Sequence, residues 1–414
     1  MMPKERADAS VPSEKRRCDM KTPETSRLFE KRTDPKTGVE HYLLTHKITR
    51  HQQGFYFVND SMTEDGRYLW FYVGRLPGAP KLLGVIDFEK DDMWFMEDTT
   101  DSGAYIDTKT GDAYFMSGAT LYRRSPEKDA VSVAIGTVPP PPSIDPNAEG
   151  DVPVWMGKGA RGPAVRFCAT HLTRTPDGKE FFIDVVAGIN ECYSGTMEIE
   201  TGKWTTWGSH ELHMNHGQIN PQNGDLAMCA CDWWTRLTDG KVFGIPSDEE
   251  GNYLRLWTVT RDGKWTNYPP RGGFATHEYW SLDGKKIYYN NLEGIQRINL
   301  ETGEHICVHP CRAWHSFATA DEKYCVYDAK HTSEEEFWRG GPTRVAFVNT
   351  ETGKEIDIAS YLPPSATREK QSGFHPDPHP RFVGNEKYVV YTTSEEGGLD
   401  IALASVEHLK EMCK

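Results

Sequence analysis

The sequence predicts an all-β protein, a seven-bladed β-propeller. A turn motif recurs seven times along the 414 residues, and a second turn motif falls between several of its copies. Aromatic residues make up 11% of the chain, enough to fill a large packed core. A repeated unit of this kind indicates hairpins arranged as blades around an axis.

The first motif is a turn containing Asp, Asn or Gly, followed by a short aromatic or β-branched strand. The segments 65–71 and 283–289 are examples. The seven copies are marked by Asp65, Gly111, Asp177, Asn223, Asp283, Asp321 and Asn385. Their separations run from 38 residues (283 to 321) to 67 (111 to 178), which indicates one unit with loop insertions of different size.

The second motif is a Thr-Gly or Asp-Gly turn between two apolar runs. It occurs at Thr201, Asp262, Thr302 and Thr352, each followed by glycine. Glycine accepts positive φ without a steric penalty, so these pairs predict hairpins. Two hairpins make the four strands of one blade. A two-domain β-sandwich is the alternative, but the repeats span residues 55 to 405 without a helical domain between them.

The predicted domain organisation is simple. Residues 1–25 are charged and poor in apolar residues, which predicts a disordered N-terminal tail. Residues 26–414 are predicted to form a single propeller domain. Within it, the proline-rich stretch 138–146 reads as an extended loop between blades, and residues 406–412 as a short helical turn.

Composition excludes several classes of function. With 47 basic and 61 acidic residues the net charge is −14, which argues against nucleic-acid binding. No apolar run approaches 18 residues and the first 30 residues contain no apolar signal region, so we expect a soluble, cytoplasmic protein with no membrane contact. The nine cysteines fit a reducing compartment. The sequence also lacks a P-loop, a dinucleotide-binding fingerprint and a serine nucleophile elbow.

Five histidines recur in phase with the first motif. Four lie six residues before the turn and one lies seven before it: His171, His277, His315, His379 and His216. The strand leading into that turn is the innermost of a blade, so five imidazoles are predicted to converge near the central channel. A cluster of this kind can ligate a metal or transfer protons. The alternative is that each histidine braces a neighbouring blade.

Two segments extend this chemistry. Gln371, His375, Asp377 and His379 lie within nine residues stiffened by prolines, a pattern typical of a metal site in which Asp377 is either a ligand or an orienting partner. Arg255 lies upstream of the segment 276–280, which contains His277; a cation and a histidine suit an anionic substrate. Taken alone, Arg255 reads more readily as a surface ion-pair residue.

The chain resembles the oligogalacturonate lyase family of seven-bladed propellers. The segments that carry the resemblance are 51–57, His216 with 220–221, 255–257, 276–280, His315 and 378–382. The resemblance implies β-elimination on short pectic uronides with a divalent metal, typically manganese, held by His and Gln side chains. It assigns His277 as the base, Arg255 as its companion and His315 as a metal ligand.

The last of these segments departs from the family pattern. The family has His-Pro-His with Gln three residues ahead, whereas here Gln371 lies four residues ahead of His375 and Pro-Asp-Pro separates His375 from His379. The resemblance therefore implies His315, His379, His375 and Gln371 as metal ligands, in an expanded arrangement. Side chains expected to contact substrate are His216, His171, Tyr279 and His51.

The expected function is cleavage of a 4-linked, anionic uronate oligosaccharide to a 4,5-unsaturated product, assisted by Mn²⁺. A lyase on another uronate glycan, such as an ulvan-type glucuronide, is one alternative. A non-catalytic propeller that binds a sugar or a protein partner is the second. A glycoside hydrolase with two carboxylates is the third, and it is disfavoured because the in-phase residues are histidines.

Overall fold

The computed structural model describes residues 20–74, 80–100, 103–139, 167–186, 192–231, 247–249, 251, 253–331, 341–364 and 376–414. In this part of the chain the strands form seven antiparallel sheets, the blades of a β-propeller. The predicted fold class is therefore confirmed. The predicted loop 138–146 and the residues Gln371 and His375 lie wholly or largely outside the described residues.

The described strands are short and follow one another with little helix between them. They are β1 Phe29–Thr33, β2 Glu40–Leu44, β3 His51–Gln53, β4 Tyr68–Gly74, β5 Leu82–Asp87, β6 Asp92–Met96, β7 Tyr105–Ile106, β8 Ala113–Ser117, β9 Thr120–Arg124, β10 Val133–Thr137, β11 Phe167–Cys168, β12 Thr173–Arg174, β13 Glu180–Val186, β14 Cys192–Glu198, β15 Trp204–His210, β16 Met214–Asn220, β17 Asn223–Cys231, β18 Leu256–Thr260, β19 Trp265–Tyr268, β20 Thr276–Trp280, β21 Lys286–Asn291, β22 Gly294–Asn299, β23 His305–His309, β24 Ala313–Ala318, β25 Tyr324–Lys330, β26 Thr343–Asn349, β27 Glu355–Leu362, β28 Arg381–Val383, β29 Tyr388–Thr393 and β30 Asp400–Ser405.

Each blade is built from consecutive strands. Blades 1 and 2 contain β3 to β6 and β7 to β10; blade 3 contains β11 to β15, with both β11 and β12 paired to β13. Blades 4, 5 and 6 contain β16 to β19, β20 to β23 and β24 to β27. Blade 7 has the order β1-β2-β30-β29-β28, so two N-terminal strands complete the C-terminal sheet. This shared blade closes the ring and covers a sheet edge.

The two turn motifs occupy the positions that the sequence predicts. The first motif joins one pair of strands in each blade: β3–β4, β7–β8, β12–β13, β16–β17, β20–β21, β24–β25 and β28–β29. The second joins β14–β15, β18–β19, β22–β23 and β26–β27 in blades 3 to 6. In blade 3 the Asp177 carboxylate accepts the backbone N–H of Lys179 at 3.1 Å and the Thr175 hydroxyl at 2.7 Å, while Gly178 has a φ of 73°. Local side-chain chemistry therefore sets these turns.

The core lies between neighbouring blades, where fully buried aromatic side chains such as Trp70, Phe181 and Tyr288 pack against aliphatic ones. The predicted helical turn is the α-helix α1, Val406–Met412, whose N-cap is Ser405. A 3₁₀ turn spans Arg271–Gly273. The eight cysteines in the described residues are free thiols. No helix in the described residues is long and apolar enough to cross a membrane.

The propeller begins earlier than the predicted boundary at residue 25. The backbone N–H of Lys21 donates to the carbonyl of Phe88 at 3.0 Å, and Met20 packs against the core of blades 1 and 7. The polar composition of residues 20–25 predicts a tail, but the backbone of this segment is hydrogen-bonded to the propeller. Its contacts with blades 1 and 7 are to residues distant in sequence, such as Phe88 and Tyr388, which a local pattern does not show.

Candidate functional site

One position of the repeat lies at the inner strand of every blade. Four residues after this position comes a residue whose backbone N–H donates to a carbonyl on the far side of the first turn. Thr175, for example, donates to the carbonyl of Glu180, and Ser281 to that of Lys286, both at 2.9 Å. Five blades have histidine at this inner position and two do not: His171, His216, His277, His315 and His379, with Asn59 in blade 1 and Gly103 in blade 2.

The backbone at several of these histidines is irregular. His216, His277 and His379 have positive φ values of 51°, 55° and 47°. The strand register shifts around His216 and around His277, which marks β-bulges in β16 and β20. Positive φ at a residue other than glycine costs on the order of 1–3 kcal/mol and is typical of functional sites. The bulges re-aim these imidazoles and break the alternation of side chains along the strand.

The five imidazoles converge as a histidine cluster (His171, His216, His277, His315, His379). The ring centroids of His277 and His315 lie 4.1 Å apart, those of His315 and His379 4.2 Å, and those of His171 and His216 5.2 Å. The predicted convergence of the five histidines is therefore confirmed.

Tyr56 lies at the centre of this cluster, and the sequence analysis did not single it out. Its ring stacks on His171 at 4.9 Å and contacts His379 at 4.8 Å and His315 at 5.5 Å. The ring therefore connects the two sides of the cluster. Tyr56 belongs to the segment 51–57, which carried part of the family resemblance, so the segment held the signal although the residue was not chosen.

Three side chains on one side of the cluster can hold a metal ion. Ligand atoms of His315, Asp377 and His379 all lie within 4.8 Å of one another, and the three residues are buried. Imidazole nitrogen with carboxylate oxygen suits Mn²⁺, Fe²⁺ or Zn²⁺. The donor set therefore fits a divalent cation. The other two ligands that the resemblance implied, Gln371 and His375, lie outside the described residues.

Asp328 in β25 supports this donor set from behind. Its carboxylate accepts the ring Nδ1–H of His315 at 2.9 Å and the backbone N–H groups of His315 and His379 at 2.7 and 3.0 Å. Nδ1 of His315 is thereby committed, so Nε2 is the atom that could ligate a metal. Burial raises the pKa of Asp328 to about 7. A nearby cation would favour its ionised form.

His277 is held in its neutral form. Its ring Nδ1 lies 2.5 Å from the backbone carbonyl of Trp314, which can only accept, so Nδ1 carries the proton and Nε2 carries the lone pair. Burial, His315 and Arg255 together lower the pKa of His277 well below its usual range. Because the neutral form dominates near pH 7, the side chain is ready to take a proton.

Arg255 lies beside His277 in a buried ion pair. Its Nε and Nη2 donate to the two carboxylate oxygens of Glu278, both at 3.1 Å, and Arg255 is 2% exposed. The expectation that Arg255 forms an ion pair at the surface is therefore wrong, because its ion pair with Glu278 is buried. The bidentate contact fixes the guanidinium plane against Glu278, the residue that follows His277 in the chain.

A cavity of about 250 Å³ opens beside the cluster, and its wall reaches His379 of the metal-type group. His171 and His216 lie in its wall and are hydrogen-bonded to each other, with His171 Nε2 3.2 Å from His216 Nδ1. Burial and His216 lower the pKa of His171 well below its usual range. Lys81 also lines the cavity, and no repeat or motif pointed to it.

Two predicted substrate contacts are placed elsewhere. Tyr279 is 2% exposed and stacks between Tyr288 at 5.0 Å and Phe317 at 4.9 Å, inside the core. The bulge in β20 turns it away from the face that His277 occupies. His51 is 5% exposed, and its Nδ1 accepts the backbone N–H of Leu399 at 3.4 Å, bracing blade 1 against blade 7. Neither position suits substrate contact.

Fold and site together define a seven-bladed propeller with an axial histidine cluster and a metal-type donor set. The structure is similar to an oligogalacturonate lyase in complex with manganese, with a TM-score of 0.66 and 17% identity over 91% of this chain and 96% of that one. It is also similar to an oligogalacturonate lyase from Vibrio parahaemolyticus, with a TM-score of 0.67 and 18% identity over 91% and 96%. At this level of identity the likeness establishes the fold. No protein-family model and no curated protein matches the sequence.

Proposed function

We propose that this protein is a lyase that cleaves a 4-linked uronate oligosaccharide by β-elimination, with His277 as the base. One observation carries the proposal: His277 presents Nε2 as a lone pair, because Nδ1 faces the Trp314 carbonyl, and its ring lies 4.1 Å from that of the metal-type residue His315. Similarity to two oligogalacturonate lyases supports the substrate class, and the manganese in one of them supports the metal.

The reaction has an electrostatic difficulty that this site addresses. Removing the C5 proton of a uronate builds negative charge beside a carboxylate that is already negative. A divalent cation held by His315, His379 and Asp377 would supply positive charge to that carboxylate. Arg255 lies on the side of His277, where Glu278 fixes its guanidinium and balances its charge, so the cation would supply most of the positive charge.

The chain's own residues then perform the proton transfer. His277 Nε2 takes the C5 proton, the C4–O bond breaks as the C4–C5 double bond forms, and the departing oxygen takes a proton from solvent. His171 and His216 contact the sugar from the wall of the cavity. The product is a 4,5-unsaturated uronate and an oligomer shortened at the cleaved bond.

The test is turnover of saturated digalacturonate with Mn²⁺, followed by the ultraviolet absorbance of the unsaturated product. We expect turnover by the wild type and a loss of about 10²- to 10⁴-fold in His277→Ala, the range for a general base. The exposed His46 supplies a matched control, His46→Ala, which should keep the wild-type rate. No absorbance change with galacturonate or glucuronate oligomers would refute the lyase. Full activity in His277→Ala would refute only the base.

A further inference from the structure

A buried asparagine connects the blade that carries His277 with the blade that carries His315. Asn290 lies in β21 and is fully buried. Its backbone pairs with Thr276, the residue before His277, where the bulge in β20 begins. Its side chain reaches into blade 6, where Nδ2 donates to the Trp314 carbonyl at 2.9 Å. The amide therefore crosses from one blade to the next.

The Trp314 carbonyl accepts two hydrogen bonds, and both come from blade 5. One comes from the ring Nδ1–H of His277 at 2.5 Å, and the other from the Asn290 amide. A carbonyl oxygen has two lone pairs, so the two donors together use its accepting capacity. The His277 imidazole also contacts the Trp314 indole, with ring centroids 4.3 Å apart. His277 and Asn290 are thus fixed to the same oxygen atom.

The other end of the Asn290 amide is fixed as well. The Ser316 hydroxyl donates to its Oδ1 at 2.9 Å, and Ser316 is fully buried. The Trp314 carbonyl can only accept, which turns Nδ2 towards it and leaves Oδ1 for the hydroxyl. Trp314 and Ser316 are the residues on either side of His315 in the chain. The amide therefore brackets the metal-type residue while it shares an acceptor with His277.

An amide suits this place better than the carboxylate of the next blade would. Asp328 occupies the same repeat position in blade 6, seven residues after the first turn motif. An ionised carboxylate has acceptors only, so it receives a hydroxyl but does not donate to a carbonyl. Asn290 supplies one donor and one acceptor and satisfies both neighbours. Because unpaired polar groups are costly in a buried site, this pairing favours a single arrangement of the two blades.

We propose that Asn290 is a positioning residue, which holds the His277 imidazole in one tautomer and one orientation through the Trp314 carbonyl. It thereby also fixes His277 relative to His315. The catalytic role of His277 rests on the proposed function. Without the Asn290 amide, the carbonyl loses one of its two donors and is free to tilt, so the imidazole gains a second orientation and tautomer. Nε2 then presents its lone pair for only part of the time, and kcat falls.

The first measurement is kinetic. Asn290→Leu removes both hydrogen bonds of the amide and keeps a branched side chain of similar size. We expect kcat for digalacturonate with Mn²⁺ to fall about 10- to 100-fold, the range for loss of an orienting partner, and KM to change less than about threefold, because a fully buried amide contacts no substrate. Asn291→Leu is the matched control: the Asn291 amide is also buried, donates to the Arg271 carbonyl at 3.0 Å and lies on the other face of β21. It should keep the wild-type kcat.

The second measurement needs no turnover. Ring ¹⁵N shifts of histidine-labelled, metal-free protein show which imidazole nitrogen carries the proton, and the His277 signals are those lost in His277→Ala. We expect Nδ1 protonated and Nε2 unprotonated in the wild type, and two partly protonated nitrogens in Asn290→Leu. Ser316→Ala removes only the hydroxyl that orients the amide, so it should give an intermediate result and replaces Asn290→Leu if that protein does not fold. An unchanged tautomer in the folded variant would refute the positioning role.

The positioning role and the lyase can fail separately. A His277 tautomer that depends on Asn290, in a protein that cleaves no uronide, would refute the proposed function and keep the control of the imidazole. Cleavage by the wild type, with a tautomer and a kcat that do not depend on Asn290, would refute the positioning role and keep the lyase. A changed tautomer with an unchanged kcat would also refute the positioning role.

Discussion

The two sides of the histidine cluster contain the same residue type at the same repeat position and yet differ in chemistry. On the metal side, His315 and His379 face Asp377, and Asp328 holds them from behind. On the cavity side, His171 bonds to another imidazole, that of His216, and the described wall also contains Lys81 and extends to His379. The partners of each histidine, rather than the histidine itself, decide what each side can bind.

A second repeat position explains how this difference arises. Seven residues after the first turn motif, blades 3, 5 and 6 have Asp184, Asn290 and Asp328, all buried. Asp328 reaches the ring of His315 at 2.9 Å, whereas Asp184 binds the hydroxyl and backbone N–H of Thr170, at 2.7 and 3.1 Å. Of these two carboxylates, only Asp328 accepts a hydrogen bond from an imidazole, and it thereby raises the basicity of His315. The two sides therefore differ in the groups that surround equivalent histidines.

The strongest test of this division is to remove one histidine from each side. His315→Ala should lose bound Mn²⁺ and reduce activity by about 10³-fold or more, because the positive charge opposite the substrate carboxylate is lost. His171→Ala, at an equally buried position, should keep one Mn²⁺ per chain. Elemental analysis after loading and dialysis measures the metal directly. Equal metal loss in the two variants would mean that the sides are not distinct.

A smaller effect is expected from the carboxylates behind the histidines. Asp328→Asn should weaken Mn²⁺ binding about 10- to 100-fold, the range for loss of a partner that orients a ligating histidine. Asp184→Asn removes a buried carboxylate at the same repeat position and should leave the Mn²⁺ affinity unchanged. Titration of Mn²⁺ into each metal-free protein gives both constants. The comparison fails if Asp184→Asn weakens metal binding as much as Asp328→Asn.

Much of the fold could be predicted because its determinants are local. Each first turn is set by side chains within a few residues, as Asp177 and Thr175 illustrate, so the motif can be recognised without the structure. The two N-terminal strands of blade 7 were missed because they pair with β30, at the far end of the chain. The Thr37 and Gly38 turn between them does resemble the second motif and was the available signal.

The site was predictable to the extent that it follows the repeat. The inner histidines keep one phase, so their convergence followed from the fold. Tyr279 was expected to contact substrate. In a regular strand it would share a face with His277, two residues before it, but the bulge in β20 removes that alternation. Asp328 left a signal as a single acidic residue in the apolar run of β25. Lys81 left none, since it precedes β5 outside both motifs.

The smallest effect concerns the pH dependence of stability on the cavity side. Burial raises the pKa of Asp184 above its usual value of 3.8. The protonated carboxyl therefore favours the folded state: its contribution is fully present below pH 3.8 and is lost as pH rises through the folded-state pKa, by about 1.4 kcal/mol for each unit of difference. Urea unfolding of metal-free protein at a series of pH values should show the wild type losing stability relative to Asp184→Asn as the pH rises above 3.8. A difference that stays constant over this range would mean that Asp184 does not titrate with folding. The cavity side would then lack a buried carboxyl whose protonation is coupled to folding.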